Sequence, residues 1–143
     1  MINLPSHFNR ILITGGSGFI GGTLIRRLIR NTEVKLFNLD KLGYASNLEI
    51  HNRYKHLDRY KLLKVNLSNY EETKAAVKLA NPDIVFHLAA ESHVDKSITG
   101  PTTFLESNVI GTFNLLQAIR PHWESLSITR KDKFKIIHVS TDE

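Results

Sequence analysis

A glycine-rich stretch of this sequence has the residue types and spacing that a bound pyrophosphate requires. Residues 14–22 follow the apolar segment 10–14 and precede residues 24–29, where apolar side chains recur at helical spacing. Glycines let the backbone turn tightly and approach phosphate groups, and the start of the next helix presents unpaired N–H groups to an anion. The order of strand, glycine turn and helix therefore predicts a dinucleotide-binding turn.

Two glycine registers overlap in this turn. Gly16, Gly18 and Gly21 fit one, while Gly15, Gly18 and Gly21 fit the other, so the pattern does not choose between dinucleotide-binding subfamilies. A mononucleotide phosphate loop is disfavoured because Gly22 occupies the position of its lysine, and ATP or GTP hydrolysis is not expected. The alternative is a glycine turn that only packs a helix on a sheet.

An acidic residue lies where the fingerprint places the adenosine ribose. Asp40 comes nineteen residues after Gly21, at the end of the apolar run 34–39. A carboxylate there accepts a hydrogen bond from the 2′-hydroxyl and repels a 2′-phosphate, which predicts NAD rather than NADP. Lys41, the next residue, is a cation that weighs against this preference. The alternative for Asp40 is an ordinary turn residue at a strand end.

Strand-like runs alternate with helical patterns along the chain. The runs lie at residues 11–14, 34–39, 62–66, 84–88 and 135–140. This alternation predicts an α/β fold with a doubly wound parallel sheet, a Rossmann-type arrangement. Residues 42–60 lack clean periodicity, so a loop with at most one short helix is expected there.

Two helices have recognisable ends. One is predicted over residues 69–80, stopped at Asn81 and Pro82. The other begins at Pro101 and is predicted to end before Pro121. Its apolar face is predicted to comprise Phe104, Leu105, Val109, Thr112, Leu116 and Ile119.

Composition limits the classes of protein. The chain has 143 residues, 41% of them hydrophobic and 23% charged, which fits one globular domain over residues 1–143. No run approaches a membrane span and residues 1–10 lack a secretory signal, so a cytoplasmic protein is expected.

Cysteine is absent and His87, His93 and His138 lack metal-ligand spacing, which predicts no metal site. The net charge of +5 and the basic segment 51–61 are interpreted as a solvated connector rather than a nucleic-acid surface.

The sequence stops directly after its fifth predicted strand. A sheet that ends there has an unpaired edge, and the helix 101–120 covers its own side incompletely. We therefore expect an incomplete domain, the front part of something longer.

Longer motifs extend the glycine turn into a family resemblance. They lie at residues 14–21, 39–48, 87–98, 100–101, 108–112 and 139–143. Together they resemble the extended short-chain dehydrogenase/reductase superfamily, and within its NAD-dependent epimerase/dehydratase family most closely the dTDP-glucose 4,6-dehydratases. Related sugar-nucleotide epimerases share the glycine turn and residues 88–90, whereas residues 87–95 and 140–143 are more similar to the dehydratases. The resemblance covers essentially the whole chain, but only the first part of such an enzyme.

The resemblance implies NAD as the cofactor and a set of binding residues. Those implied for NAD are Gly15, Gly18, Phe19, Ile20 and Gly21 at the pyrophosphate, Asp40, Lys41, Leu42 and Gly43 at the adenosine ribose, Asn66 and Leu67 at the adenine, and Leu88, Ala89, Ala90, Glu91, Ser92 and Ser107 on the nicotinamide side. Ser92 and Thr141 are implied to contact a dTDP-sugar nucleotide. The family usually has an acid at Asn66, threonines at Gly43 and Ser107, and an arginine at Lys96, so reduced affinity rather than lost binding is expected.

The implied reaction converts dTDP-glucose into a 4-keto-6-deoxy sugar and water, on a route to deoxysugars such as rhamnose. It proceeds by oxidation at C4, elimination across C5 and C6, and return of the hydride to C6. Asp142 is implied as the acid and Glu143 as the base, with Thr141 placing the sugar. Without the resemblance, residues 141–143 would be interpreted as a helix N-terminus.

Such enzymes also use a Tyr-x-x-x-Lys pair, which this chain lacks at a plausible site, and a carboxy-terminal sugar-nucleotide domain. The chain by itself is therefore expected to be inactive, whereas full-length relatives are expected to be homodimers. The alternatives are a stand-alone NAD-binding module without catalysis and a fragment of a sugar-nucleotide 4-epimerase or decarboxylase.

Overall fold

A parallel sheet of five strands forms the centre of the protein. The computed structural model describes residues 4–44, 46–92, 98 and 100–140. The strands are β1 (Arg10–Thr14), β2 (Lys35–Asp40), β3 (Tyr60–Lys64), β4 (Ile84–His87) and β5 (Lys135–His138). Their order is β3-β2-β1-β4-β5, and each neighbouring pair runs parallel. The predicted doubly wound parallel sheet is confirmed, although β3 begins at Tyr60, two residues before its predicted start, because the Tyr60 side chain is buried in the core.

Helices cover both faces of the sheet. They are α1 (Phe19–Asn31), α2 (Glu49–Tyr54), α3 (Tyr70–Ala80), α4 (Pro101–Phe104), α5 (Gly111–Glu124) and α6 (Ile128–Lys133), with a π-helical turn at Leu105–Ile110 between α4 and α5. One core cluster joins α1 and α2 to the sheet, and the other joins α3 and α5 to its opposite face. In the described part of the chain, no helix is both long and apolar enough to cross a membrane.

The ends of α3 follow from its sequence. The side-chain oxygen of Asn69 accepts a hydrogen bond from the Glu72 N–H at 3.2 Å, which caps the first turn. Asn81 then adopts a left-handed conformation with φ of +44°, which ends the helix before Pro82. The predicted helix over residues 69–80 is confirmed, as is the single short helix, α2, within residues 42–60.

The prediction that the helix from Pro101 ends before Pro121 is wrong. Helix α5 continues to Glu124 with Pro121 inside its last turns. Contacts outside the helix hold this end: His122 Nε2 donates to the Pro82 carbonyl at 2.9 Å, and Trp123 Nε1 donates to the Lys131 carbonyl at 3.2 Å. These contacts offset the backbone hydrogen bond that proline removes.

The predicted apolar face of this helix is also wrong in large part. Ile119 is buried, but Leu105, Val109 and Leu116 are 60%, 56% and 47% exposed. The physical reason is the π-helical turn, which widens the helix and shifts every later side chain relative to a regular spacing of 3.6 residues. The buried face of α5 instead comprises Gly111, Asn114, Leu115, Ala118 and Ile119. Apolar surface therefore stays exposed on this side of the fold.

Candidate functional site

A cavity of about 120 Å³ lies at the carboxyl ends of β1 to β4. β1 and β4 are neighbours in the sheet, and the connections that lead away from them cover opposite faces of it. Doubly wound folds bind ligands at such a position, and the cavity lies there. Its lining comprises Gly15, Gly18, Leu39, Asp40, Lys41, Gly43, Tyr44, Ser46, Val65, Asn66, Leu67, Leu88, Ala89, Ala90, Glu91 and Ser107. Four loops after four parallel strands therefore converge on one site.

The glycine turn is packed too closely for side chains at three of its positions. Gly15 has a φ of +70°, and a Cβ there would lie 2.8 Å from the backbone of Ala89. A Cβ at Gly21 would collide with the Gly15 carbonyl oxygen, and one at Gly16 would collide with the buried Asn38 side chain. By contrast, a Cβ at Gly18 would meet only the Gly15 carbonyl oxygen, at 3.3 Å. These contacts require a glycine in each of the two registers and do not choose between them, while Gly15 makes the contact with the loop after β4.

The first turn of α1 is open to an anion. Gly18 is its N-cap, no side chain caps it, and its first turn contains no acidic residue. The side chains of Phe19 and Ile20 are exposed beside it. Because the first N–H groups of a helix have no partner within the helix and carry partial positive charge, this end suits a phosphate group.

Asp40 connects the glycine turn to the loop after β2. Its Oδ2 accepts a hydrogen bond from the Ser17 N–H at 2.9 Å, and its Oδ1 accepts from the Leu42 N–H and the Ser46 hydroxyl, both at 2.8 Å. A carboxylate has about four acceptor positions, so one remains at Oδ2 for a further donor. Asp40 is thus a structural centre of the site that still has room for one hydroxyl.

The loop after β3 offers an apolar surface and an amide. The cavity lining there comprises Val65, Asn66 and Leu67. The Asn66 oxygen accepts a hydrogen bond from the Ser68 N–H at 3.1 Å, which leaves the amide N–H groups as the donors it can present to a base.

A buried chain of hydrogen bonds holds the loop after β4 in place. Leu88 and Ala89 each donate a backbone N–H to the Thr14 hydroxyl oxygen at 3.2 Å. That hydroxyl lies 2.6 Å from His87 Nδ1, and because its oxygen already accepts two bonds, it donates its proton to the ring. The other ring nitrogen of His87 donates to the Thr112 hydroxyl at 2.9 Å. The geometry therefore fixes a neutral His87 beneath the loop.

The protonation of His87 makes stability depend on pH. Burial, and then the neighbouring His138 ring, lower the pKa of His87 to about 4 from the usual 6.5. The unfolded chain binds the proton more readily than the folded chain does. The contribution of the neutral His87 to folding stability is therefore complete above pH 6.5 and is lost as the pH falls towards 4. We expect the free energy of unfolding to fall by about 2 kcal/mol between pH 7.5 and pH 5.

Urea denaturation at a series of pH values measures this loss. His87→Gln should reduce the slope of stability against pH in this window, although it also weakens the protein. Burial lowers the pKa of His122 as well, so part of the slope should survive in that variant. Equal stability at pH 7.5 and pH 5 would contradict the neutral His87.

The structure brings many of the predicted cofactor residues to this one cavity. They are Gly15, Gly18, Asp40, Lys41, Gly43, Asn66, Leu67, Leu88, Ala89, Ala90, Glu91 and Ser107. Five other predicted residues are close in sequence to lining residues but do not line the cavity themselves: Phe19, Ile20, Gly21, Leu42 and Ser92. Thr141, Asp142 and Glu143, together with His93 and Lys96, lie outside the described residues. That any of these residues binds a cofactor or substrate stays a prediction.

Sequence reasoning missed residues that position the site. Leu39, Tyr44, Ser46 and Val65 also line the cavity. Asn108 Oδ1 accepts from the Glu91 N–H at 2.8 Å, and its Nδ2 donates to the Glu91 carbonyl at 2.9 Å. The π-helical turn presents Asn108 for this contact, which no local pattern indicates. Ser46 could have been found as a hydroxyl six residues after Asp40 in a turn-rich loop.

Two tyrosines of the described chain have a lysine four residues later, but neither lies at the cavity. The hydroxyl of Tyr60 accepts a hydrogen bond from the Asn38 amide at 3.1 Å inside the core. Burial raises the pKa of Tyr60, the opposite of what a catalytic tyrosinate needs. Tyr70 begins α3, and the Lys74 ammonium lies 5.8 Å from its ring centre. Neither pair can serve the cavity as a proton acceptor.

Comparison with known proteins shows the family of this chain. The family model described as GDP-mannose 4,6 dehydratase matches residues 12–143. Over 134 residues the chain is 45% identical to the dTDP-glucose 4,6-dehydratase of Salmonella typhimurium, covering 94% of this chain and 37% of the relative. The chain thus spans little more than a third of the length of the curated relatives it matches.

Some of the solved structures that resemble this chain contain NAD. The dTDP-glucose 4,6-dehydratase of Streptomyces venezuelae, solved with NAD bound, gives a TM-score of 0.77 at 33% identity over 94% of this chain and 40% of that one. The UDP-glucose 4-epimerase of Thermus thermophilus in complex with NAD gives 0.67 at 30% identity, over 79% of this chain and 34% of that one. The fold is therefore shared by dehydratases and epimerases.

Proposed function

The chain belongs to the GDP-mannose 4,6 dehydratase family, and from that premise we propose that it is the NAD-binding part of a dTDP-glucose 4,6-dehydratase. The observation that carries the proposal is the cavity between the glycine turn, Asp40 and the loop after β4, in a chain 45% identical to such a dehydratase. The 4-epimerase alternative rests on a fold that both classes share, so the dehydratase is favoured.

The residues present fit a dinucleotide. A Cβ at Gly15 or Gly21 would collide with backbone atoms, which keeps the turn bare where phosphates approach. The open first turn of α1 favours the pyrophosphate, and Asp40 keeps one acceptor position for a ribose hydroxyl. Leu67 and the amide of Asn66 offer an apolar surface and donors to the adenine. The chain would thus hold the cofactor chiefly through its backbone.

NAD, when bound, supplies the acceptor that takes a hydride from the sugar at C4 and gives it back at C6. The chain orients that exchange because the backbone N–H groups of Leu88 and Ala89 both donate to the Thr14 hydroxyl oxygen, which fixes this loop. Asn108 fixes the same loop at Glu91, and Ser107 brings a hydroxyl to the cavity beside it. We propose that Ser92 and Thr141 bind the dTDP-sugar, with Asp142 as acid and Glu143 as base in the elimination of water.

We further propose a cytoplasmic protein that acts as a homodimer when its sugar-binding part is present. Exposed apolar side chains on the π-helical turn and α5, such as Val109 and Phe113, support association through this side. By itself the chain is expected to bind NAD without turnover, because the described part of the chain presents no Tyr-x-x-x-Lys pair at the cavity.

A chimera tests the function. Residues 12–143 replace the matching part of the Salmonella typhimurium relative, and the chimera receives dTDP-glucose carrying deuterium at C4. The proposal predicts a product lighter by one water that retains the deuterium at C6, detected by mass spectrometry and NMR. A folded chimera that only epimerises a nucleotide sugar at C4 would contradict it.

A further inference from the structure

An ion pair joins two loops at the cavity. Lys41 follows β2 and Glu91 follows β4, and Lys41 Nζ lies 2.5 Å from Glu91 Oε1. The lysine side chain is 35% exposed and the glutamate side chain 11% exposed. Both line the cavity, and together with Asp40 they are the charged residues among its described lining.

Glu91 is the fixed member of this pair. Its backbone N–H and carbonyl are both bound by the Asn108 side chain, at 2.8 Å and 2.9 Å. Lys41 lies instead in the loop after β2 and reaches Glu91 through a flexible side chain of four methylene groups. The position of the lysine ammonium is therefore set by the glutamate.

The charge of the residue next to Asp40 affects how strongly the cavity would bind a 2′-phosphate. An unpaired lysine directly after Asp40 would attract that phosphate and oppose the repulsion by the Asp40 carboxylate. With the ammonium bound to Glu91, the charges of Lys41 and Glu91 cancel, and the negative charge of Asp40 dominates this end of the cavity. Asp40 itself is held in place by three hydrogen bonds and cannot turn away.

We propose that Glu91 is a specificity-determining residue that excludes NADP by holding and neutralising Lys41. The inference rests on the proposed function, because it requires that the cavity binds a nicotinamide dinucleotide. It assigns to the loop after β4 a role at the adenosine end, in addition to the role at the nicotinamide side that the family resemblance implies.

Calorimetry with NAD and NADP tests the proposal on the full chain. Glu91→Gln keeps the shape of the side chain and releases the lysine. The ratio of its NADP affinity to its NAD affinity should rise about fivefold, the size expected of one partly exposed ion pair. In a Lys41→Met background, the same Glu91→Gln change should leave the ratio of NADP to NAD affinity unaltered, because no cation remains to be released.

The outcomes separate the inference from the proposed function. If the unaltered chain binds no NAD, the proposed function fails and the inference fails with it. If it binds NAD but Glu91→Gln leaves the ratio of NAD to NADP affinity unchanged, only the inference fails. A rise in the ratio of NADP to NAD affinity that persists without Lys41 also overturns it, because Glu91 would then repel the phosphate directly. Should Glu91→Gln be unstable, Glu91→Ala replaces it, since the contacts with Asn108 use backbone atoms of Glu91.

Discussion

Replacement of Gly15 by alanine should abolish measurable NAD binding and destabilise the fold. The new Cβ would lie 2.8 Å from both the nitrogen and the Cα of Ala89, backbone atoms that cannot rotate away. It would also force a side chain onto a φ of +70°. We expect a loss of about 3 kcal/mol in the free energy of unfolding and at least about 100-fold in NAD affinity.

Chemical denaturation and calorimetry measure the two effects of Gly15→Ala. Gly43→Ala is the matched control for the denaturation, because a Cβ at Gly43 would meet only the flexible Lys41 side chain, at 3.3 Å. That control should unfold at nearly the same urea concentration as the unaltered chain. A Gly15→Ala protein with unaltered stability and NAD affinity would show that the close contact with Ala89 is not required.

Replacement of Asp40 by alanine should have the second largest effect. It removes the acceptor for the Ser17 N–H, the Leu42 N–H and the Ser46 hydroxyl together. Ser17 is buried, so its N–H would lose its partner without access to water. We expect a loss of about 3 kcal/mol in the free energy of unfolding and of about 100-fold in NAD affinity, measured by denaturation and calorimetry.

Asp83 provides a matched control at the other end of the sheet. Its carboxylate accepts hydrogen bonds from the N–H groups of Asn9 and Arg10 and from the Arg130 guanidinium, just before β4. Asp83→Ala should therefore destabilise the fold by about 2 kcal/mol without changing NAD affinity in the protein that remains folded. Equal losses of affinity in the two variants would mean that Asp40 acts only through stability.

The sequence predicts the sheet because each strand carries its own local signal. Apolar runs bounded by turn residues place β1 to β5 within about two residues, and Asn69 with Asn81 marks both ends of α3. The same kind of local signal indicates Gly15, Gly21 and Asp40, because the dinucleotide-binding fingerprint fixes their spacing along the sequence.

What the sequence did not predict depends on contacts between distant residues. The π-helical turn at Leu105–Ile110 has no local signature, yet it presents Asn108 to Glu91 and shifts the buried face of α5. Pro121 stays inside α5 because His122 bonds to the Pro82 carbonyl, forty residues away in sequence. The pairing of Lys41 with Glu91, fifty residues apart, likewise requires the fold.

We propose above all that this chain holds NAD in the cavity around Gly15 and Asp40. Isothermal titration of the purified chain with NAD tests it most directly, with circular dichroism to establish that the chain is folded. We expect one saturable site per chain, weaker binding of NADP, and no measurable binding in the Gly15→Ala variant. A folded chain that gives no binding signal with NAD, or that binds it equally well with Gly15→Ala, would rule out this cavity as the NAD site.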